Sequence, residues 1–359
     1  MNIFNGEPSI KLDHRPFYSI TIPCYNSRNK LPRLLNSILD QDMNDDIEVI
    51  LCDDHSIEPY QDIVEEYNKQ ISIKQVRTDY NCCPGNTRER AAQYAEGIWL
   101  TNCDHDDALL PNALKTVKQC IEEYDEHYAV YTNYLEIELH KDGSESFIKR
   151  NKKEMLLTHG KFFNMDNLWK KYDIHYKKDL ITHEDIYISK LINLILSETV
   201  HHMPLKLDLD TYKFYQHKSS INSTKYRNIF YNGQEHPFIE VKYKDFCEAH
   251  YGIYPLCYDK GYITKQDMIE YMLSIIIYDY MFMQAFIYNN PNTYIEENEK
   301  LSINHLKFIK QISGMDTEKI YKTIRHTTAY RDIEKAVRFL FKNFECKYTL
   351  KDWMNYIDR

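Results

Sequence analysis

Short apolar runs alternating with segments of helical period govern the first part of the chain, and this alternation limits the fold more than any other feature. Phe17 to Ile22 is β-branched and aromatic and ends at Pro23, the pattern of a strand delivered into a turn. Leu31, Leu34, Leu35, Ile38 and Leu39 then fall at i, i+3, i+4, i+7 and i+8, one helical face, with Pro32 near the first turn where its missing N–H costs nothing. Ile47 to Cys52 predicts a second strand, Ile57 to Tyr67 a second helix and Ile71 to Val76 a third strand. Asn86, with Glu89 three positions on, has the spacing of an N-cap and predicts a helix from Thr87 to Ala95, ended by Gly97. Ile98 to Asn102 returns to strand, and Pro111 opens a helix running to Tyr124. Such a βαβαβ order implies an α/β fold, a mostly parallel sheet covered on both faces.

After about residue 225 the texture becomes helical, with long patterns over Met268 to Tyr288, Leu301 to Ile312 and Asp316 to Phe344 and a capping box in Thr264 and Asp267. A chain of 359 residues accommodates a full α/β domain and an added part. The boundary is expected at the turn signal Asn232-Gly233, dividing an α/β domain, 1–228, from a mainly helical C-terminal domain, 229–359. Met268 to Tyr288 is roughly as long as a bilayer span. Glu270, Asp279 and Gln284 interrupt it, and a central carboxylate costs a few kcal/mol in a membrane, so a buried helix and no transmembrane span are expected.

Composition removes several function classes. A net charge of −9 disfavours sequence-independent binding to nucleic acid, which needs many Lys and Arg. Nine glycines in the whole chain disfavour a glycine-rich dinucleotide loop. Nine cysteines without a CxxC pair suggest reduced thiols rather than a disulfide framework or a zinc site. Met1 to Pro16 carries Glu7, Lys11, Asp13 and Arg15 and no apolar stretch of signal-peptide length. A cytoplasmic protein is the expectation, and peripheral attachment to a membrane is compatible with it.

Ligands of open parallel sheets bind beyond the carboxyl ends of the strands. Three apolar runs here end in polar segments, Pro23-Cys24-Tyr25-Asn26, Asp53-Asp54-His55-Ser56 and Asp104-His105-Asp106-Asp107, which the topology would bring to one rim. Asp and Asn are also common turn residues, so the recurrence carries more than any one segment. The third contains a DxD, two carboxylates placed where they can bind a hard divalent cation and a ribose. Transfer from a nucleoside diphosphate builds charge on the departing β-phosphate, and a cation offsets it.

These segments resemble, in order and spacing, the motifs of the family 2 glycosyltransferases, inverting enzymes of the GT-A nucleotide-sugar-binding fold. Ile22-Pro23-Cys24-Tyr25-Asn26 resembles the family's IPxYN, and Cys52-Asp53-Asp54-His55-Ser56 its VDDxS. Asn81 through Asp107 resembles the stretch N, G, ARN, AxG, DxDD, through Gly85, Arg88, Ala95, Gly97 and the acidic cluster. The resemblance implies that Pro23, Tyr25, Asn26, Asp53 and Asp54 border the donor, with Asp53 at uracil. It places Arg88 near the nucleotide, Asp104 at the ribose, phosphate or metal, and Asp106 on the metal, Mn2+ or Mg2+. Two departures stand out: Thr87-Arg88-Glu89 replaces ARN, and His105 fills the variable position of the DxD. His183-Glu184-Asp185 resembles the ED motif that precedes a helix, here Ile186 to Leu196, which implies Asp185 as catalytic base and Glu184 as its support or as an acceptor-orienting group. An acidic first turn favoured by the helix dipole is the plain structural alternative. Tyr212 to Ser220 resembles the segment after that helix, which implies His217 in the metal shell or at the diphosphate.

The expected activity is therefore inverting, metal-dependent transfer of a hexosyl or N-acetylhexosaminyl group from a nucleotide sugar, UDP-sugar favoured, to a hydroxyl of a surface glycan or glycolipid intermediate. A protein side chain or a modified nucleic-acid base are alternative acceptors, and a non-catalytic carbohydrate-binding or assembly protein is the alternative class. Sugar-nucleotide synthesis fits poorly, because Pro-Cys-Tyr-Asn stands where a glycine-rich triphosphate loop belongs. The helical domain is expected to serve acceptor recognition or homo-oligomer formation.

Overall fold

The computed structural model describes residues 10–152, 157–216, 228–231, 234–276, 296–325 and 350–357. They form two units, Met1–His236 and Pro237–Arg359. In the first, the strands β1 (Tyr18–Cys24), β2 (Ile47–Asp53), β3 (Ser72–Arg77) and β4 (Trp99–Asn102) are parallel, ordered β3-β2-β1-β4. Every residue of β1, β2 and β4 is buried, as expected for parallel strands covered on both faces. Beyond β4 the sheet continues through β8 (Lys161–Asn164), β6 (Ala129–Leu139), β9 (Leu205–Gln216) and the two-residue β5 (Ala108–Leu109), with β7 (Glu145–Asn151) paired to β6. β8 is antiparallel to both β4 and β6, whereas β6 and β9 run parallel.

Helix α1 (Leu31–Leu39) buries Leu31, Leu34, Leu35 and Ile38, the face its spacing predicts. α2 (Gln61–Tyr67) starts later than the expected Ile57, because Pro59 disfavours helical backbone at the residue before it. α3 (Pro84–Gln93) starts earlier than the expected Thr87: Pro84 takes the first helical position, Cys83 is the cap with φ +94°, and Asn86 lies inside the helix rather than capping it. Thr87 instead returns its hydroxyl to the Cys83 carbonyl at 2.8 Å. α4 (Ala113–Glu123) and α5 (Glu184–Leu194) complete the elements that matter for the site.

Gly85 shows why a motif position demands glycine. Its N–H donates to the Leu180 carbonyl at 3.0 Å, and an added Cβ would lie 2.8 Å from that same oxygen and against the carbonyl of Lys177. This contact seats the start of α3 on the segment that leads into α5. Gly85→Ala is expected to destabilise the first unit by about 2 kcal/mol through overpacking against backbone, a fall in Tm of roughly 4–8 °C. An unchanged melting curve would show that the segment yields freely.

The second unit is helical where described, with Phe238–Tyr251, Ile253–Asp259, residues 265–276, Glu296–Ser313, Thr317–Arg325 and Leu350–Ile357. The predicted capping box forms: the Thr264 N–H donates to Asp267 Oδ2 at 2.9 Å and the Asp267 N–H to Thr264 Oγ1 at 3.2 Å. Met268, Met272 and Ile276 are buried at helical spacing, as expected of a core helix, while 277–288 of the predicted segment lie outside the described residues. The expected turn at Asn232-Gly233 and the predicted helix beyond Arg325 also lie outside them. No described helix is long and apolar enough to cross a membrane.

Candidate active site

Parallel pairing puts the three polar segments on one rim. Cys24 is in register with Asp53, the Asp54 N–H donates to the Cys24 carbonyl at 2.8 Å, and the Cys103 N–H donates to the Thr21 carbonyl at 3.0 Å. Asn26, at φ +48°, ties two of the segments together: its N–H donates to Ser56 Oγ and its Oδ1 accepts from the Ile57 N–H, each at 2.9 Å. Tyr25 is left 44% exposed beside this joint, an aromatic face open to the rim. Pro23 contributes its carbonyl, 2.9 Å from His105 Nδ1.

Asp53 and Asp54 divide their work. Asp53 is fully buried, its Oδ1 accepting from the Ser56 N–H at 2.9 Å and its Oδ2 pairing with Arg77 at the end of β3. Asp54, expected beside the donor, turns inward: it accepts from the N–H groups of Cys82 and Cys83 at 2.8 and 3.2 Å and from the Thr78 hydroxyl at 3.2 Å. Burial makes that geometry necessary, since a carboxylate 4% exposed needs donors on every side. Its structural product is the shape of the loop before α3.

The centre of the site is Arg88. Its side chain is 8% exposed, with Nη2 2.7 Å from Asp104 Oδ1 and Nε 3.3 Å from Glu184 Oε1. One buried guanidinium therefore joins the loop after β4 to the start of α5. Arg88 Nη1 and the nearby Tyr176 hydroxyl are buried without a hydrogen-bond partner among the described residues. His159, absent from the sequence expectations, stands opposite Arg88 with Nε2 3.6 Å from Asp104 Oδ2 and 4.0 Å from Asp107 Oδ2, walled by Tyr134, Tyr212 and Phe214. Gly160, at φ +64° and too close to Thr132 for a side chain, makes the turn that presents it; this single His-Gly before an apolar strand is the only signal the sequence offered.

These charges shape proton affinities. Burial works against the ionised form of Asp104, yet Arg88 and His159 outweigh it and hold that carboxyl well below the usual range. Burial and the neighbouring charge of Asp185 push Glu184 up to about 8, against the pull of Arg88. Burial also raises Asp185, opposed by His159 and Arg88. Asp185 is only half-buried, its Oδ1 accepting from the Ile186 N–H at 2.7 Å, and its charge is felt by His159 across the site.

Asp104, Asp107 and His159 offer ligand atoms within 4.8 Å of one another, a set chemically suited to a divalent cation. Asp107 is nevertheless fully buried and already accepts from the Tyr212 hydroxyl at 2.7 Å and the Tyr215 N–H at 2.8 Å, in line with a loop-building part. Asp106 is a quarter exposed and meets a cation, the Lys30 ammonium, at 3.0 Å from Oδ2. Lys30, the residue before α1, and Arg33 of α1, which contacts the Asp106 carbonyl, carried no motif signal. His217, expected in the metal shell, lies outside the described residues.

Residues 19–175 match the Glycosyl transferase family 2 profile. Over these residues the first unit is similar to the family 2 glycosyltransferases. The poly(ribitol-phosphate) β-N-acetylglucosaminyltransferase TarS of Staphylococcus aureus is 33% identical over 109 residues, 30% of this chain and 19% of TarS. The GalNAc(5)-diNAcBac-PP-undecaprenol β-1,3-glucosyltransferase of Campylobacter jejuni is 30% identical over 161 residues, 42% of this chain and 51% of that protein. The chain thus spans about a fifth and a half of the lengths of these two relatives. The crystal structure of S. aureus TarS 1–349 with UDP-GlcNAc superposes with a TM-score of 0.59 at 19% identity, covering 89% of this chain and 91% of that one, which establishes the GT-A-like fold.

Proposed function

We propose that the chain is an inverting, divalent-metal-dependent glycosyltransferase that moves a sugar from a UDP-sugar donor to a hydroxyl of a surface glycan or lipid-linked glycan. The observation that carries this reading is Arg88, which draws the DxD segment and the Glu184-Asp185 pair into a single charged site. The TarS complex with UDP-GlcNAc supports the donor class, and the activities for which TarS and the C. jejuni relative are named support a glycan acceptor. The buried, unpartnered Arg88 Nη1 and Tyr176 hydroxyl leave hydrogen-bonding capacity that a polyhydroxylated or phosphorylated substrate would satisfy.

In this reading Tyr25 stacks on the base, Asn26 shapes the rim beneath it, and Asp53 with Arg77 closes the base pocket. The metal fits on the Asp106 side of the cluster, where a lysine ammonium already stands as a cation, with Asp104 and His217 as further candidate ligands. A divalent cation held there would neutralise charge developing on the departing diphosphate. Asp185 accepts the proton of the acceptor hydroxyl as its oxygen attacks the anomeric carbon, and the nucleoside diphosphate leaves from the opposite face, inverting the configuration. Glu184, held by Arg88, orients the acceptor or supports the base. Pro237–Arg359 is the candidate for acceptor recognition or self-association.

A panel of nucleotide sugars with Mn2+ or Mg2+ tests the reading by release of nucleoside diphosphate; release of pyrophosphate would instead indicate sugar-nucleotide synthesis. Asp106→Ala is expected to abolish metal-dependent UDP binding, measured by calorimetry, with an unchanged circular dichroism spectrum. Retained metal-dependent binding would remove Asp106 from the site.

A further inference from the structure

We propose that His105, the residue in the variable position of the DxD, is itself a ligand of the divalent cation beside Asp106; this rests on the reading of Asp106 as a metal ligand. The first support is the imidazole's orientation. His105 Nδ1 lies 2.9 Å from the Pro23 carbonyl oxygen, and since a carbonyl only accepts, Nδ1 carries the proton. The lone pair of a neutral ring is then on Nε2. Metal-bound histidines are commonly held this way, the second nitrogen donating to a backbone carbonyl that fixes both tautomer and ring direction.

The second support is where that nitrogen faces. His105 Nε2 is 3.9 Å from Asp106 Oδ2. Two metal–ligand bonds of about 2.1 Å can join atoms up to about 4.2 Å apart, so one ion can bridge the pair without rebuilding the loop. The third is electrostatic: Lys30 places its ammonium 3.0 Å from the same carboxylate oxygen, so that oxygen already draws a cation. Lys30 is a third exposed, and its flexible stem allows the ammonium to withdraw toward solvent or the diphosphate when the metal enters. The side chains of His105 and Asp106 are about equally exposed, at 23% and 24%, so both are accessible to an ion arriving with the nucleotide.

The inference has a chemical consequence. An imidazole ligand favours the later transition ions, whereas an all-oxygen site suits Mg2+ as well as Mn2+. This DxD should therefore discriminate against Mg2+ more than one with an aliphatic residue between its carboxylates.

The experiment measures Mn2+ binding to the full chain in the presence of UDP, by the electron paramagnetic resonance of free Mn2+, with Mg2+ affinity obtained by competition. His105→Ala is expected to weaken Mn2+ binding by about 10- to 100-fold, with a smaller change for Mg2+. The wild-type Mn2+ complex should show imidazole nitrogen coupling in its spin-echo modulation that is reduced in the variant. His105→Gln separates ligation from support, because its amide can donate to the Pro23 carbonyl but supplies no imidazole nitrogen. Weakening equal to that of His105→Ala supports ligation. Wild-type affinity in His105→Gln, or unchanged affinity in both variants, overturns it. Asp106→Ala distinguishes the two levels: loss of Mn2+ binding there with no effect at His105 leaves the DxD reading standing and removes only His105. Retained binding in Asp106→Ala removes both.

Discussion

Asp185→Asn is expected to lower glycosyl transfer by about 10²- to 10⁴-fold, the usual contribution of a positioned base, while UDP-sugar affinity stays within about threefold of wild type. The asparagine keeps the size of the side chain and can still accept the Ile186 N–H that Asp185 Oδ1 now accepts. What it removes is the proton acceptor. Asp185 is suited to that task because it is half-buried at the start of α5, whereas Glu184 beside it is buried against Arg88. The pH profile supplies an independent sign. A base works ionised, so transfer falls as pH drops through its pKa. Burial raises Asp185, so the acid limb of kcat/KM is expected above the ordinary carboxylate range, and absent from Asp185→Asn. A limb near 8 in the wild type would instead assign the base to Glu184, which its surroundings push up to about 8. Near-normal transfer by Asp185→Asn would reject the assignment outright.

The second large effect is structural. Arg88→Met is expected to destabilise the first unit by about 3–5 kcal/mol, because it removes the guanidinium that two carboxylates share. The loss should fall toward the lower figure, since Glu184 can take up a proton and His159 still faces Asp104. Urea unfolding followed by the fluorescence of Trp99 and Trp169, in a Trp353→Phe background, reads the first unit. Arg88→Met combined with Glu184→Leu should recover part of the loss, because one of the two carboxylates is then gone. If Arg88→Met unfolds at the wild-type urea concentration, the guanidinium is a surface cation that approaches its partners only transiently.

The parallel core of this protein is legible in its sequence. Residues of β1, β2 and β4 are buried without interruption and mostly apolar because parallel strands are covered on both faces, and the intervening helical period forces the crossovers that keep those strands parallel. Once the strands run the same way, their carboxyl ends share a rim, so the segments of Asn26, Asp53 and Asp104 fall at the same edge of the sheet. Applied to β3, the same rule would have reached Arg77, the partner of Asp53. The start of α3 was misplaced because Asn86 and Glu89 imitate a cap, while the stronger constraint was the fixed φ of Pro84 two residues earlier.

The sequence by itself thus determined the sheet, the rim and the residue types available there. Only the tertiary structure decided which carboxylate faces which cation. Asp54 and Asp107 turned into the protein to satisfy backbone N–H groups, and Asp106 turned out toward Lys30, although all three sit in segments of nearly the same character. Side-chain direction in a tight turn follows local backbone geometry rather than composition. Arg88 finds Glu184 across 96 positions of chain, and His159 finds Asp104 from the end of the neighbouring strand, through the packing of α3, α5 and the turn at Gly160. Periodicity carries no trace of contacts made between elements so far apart in the chain, because any helix-surface arginine shows the same local pattern.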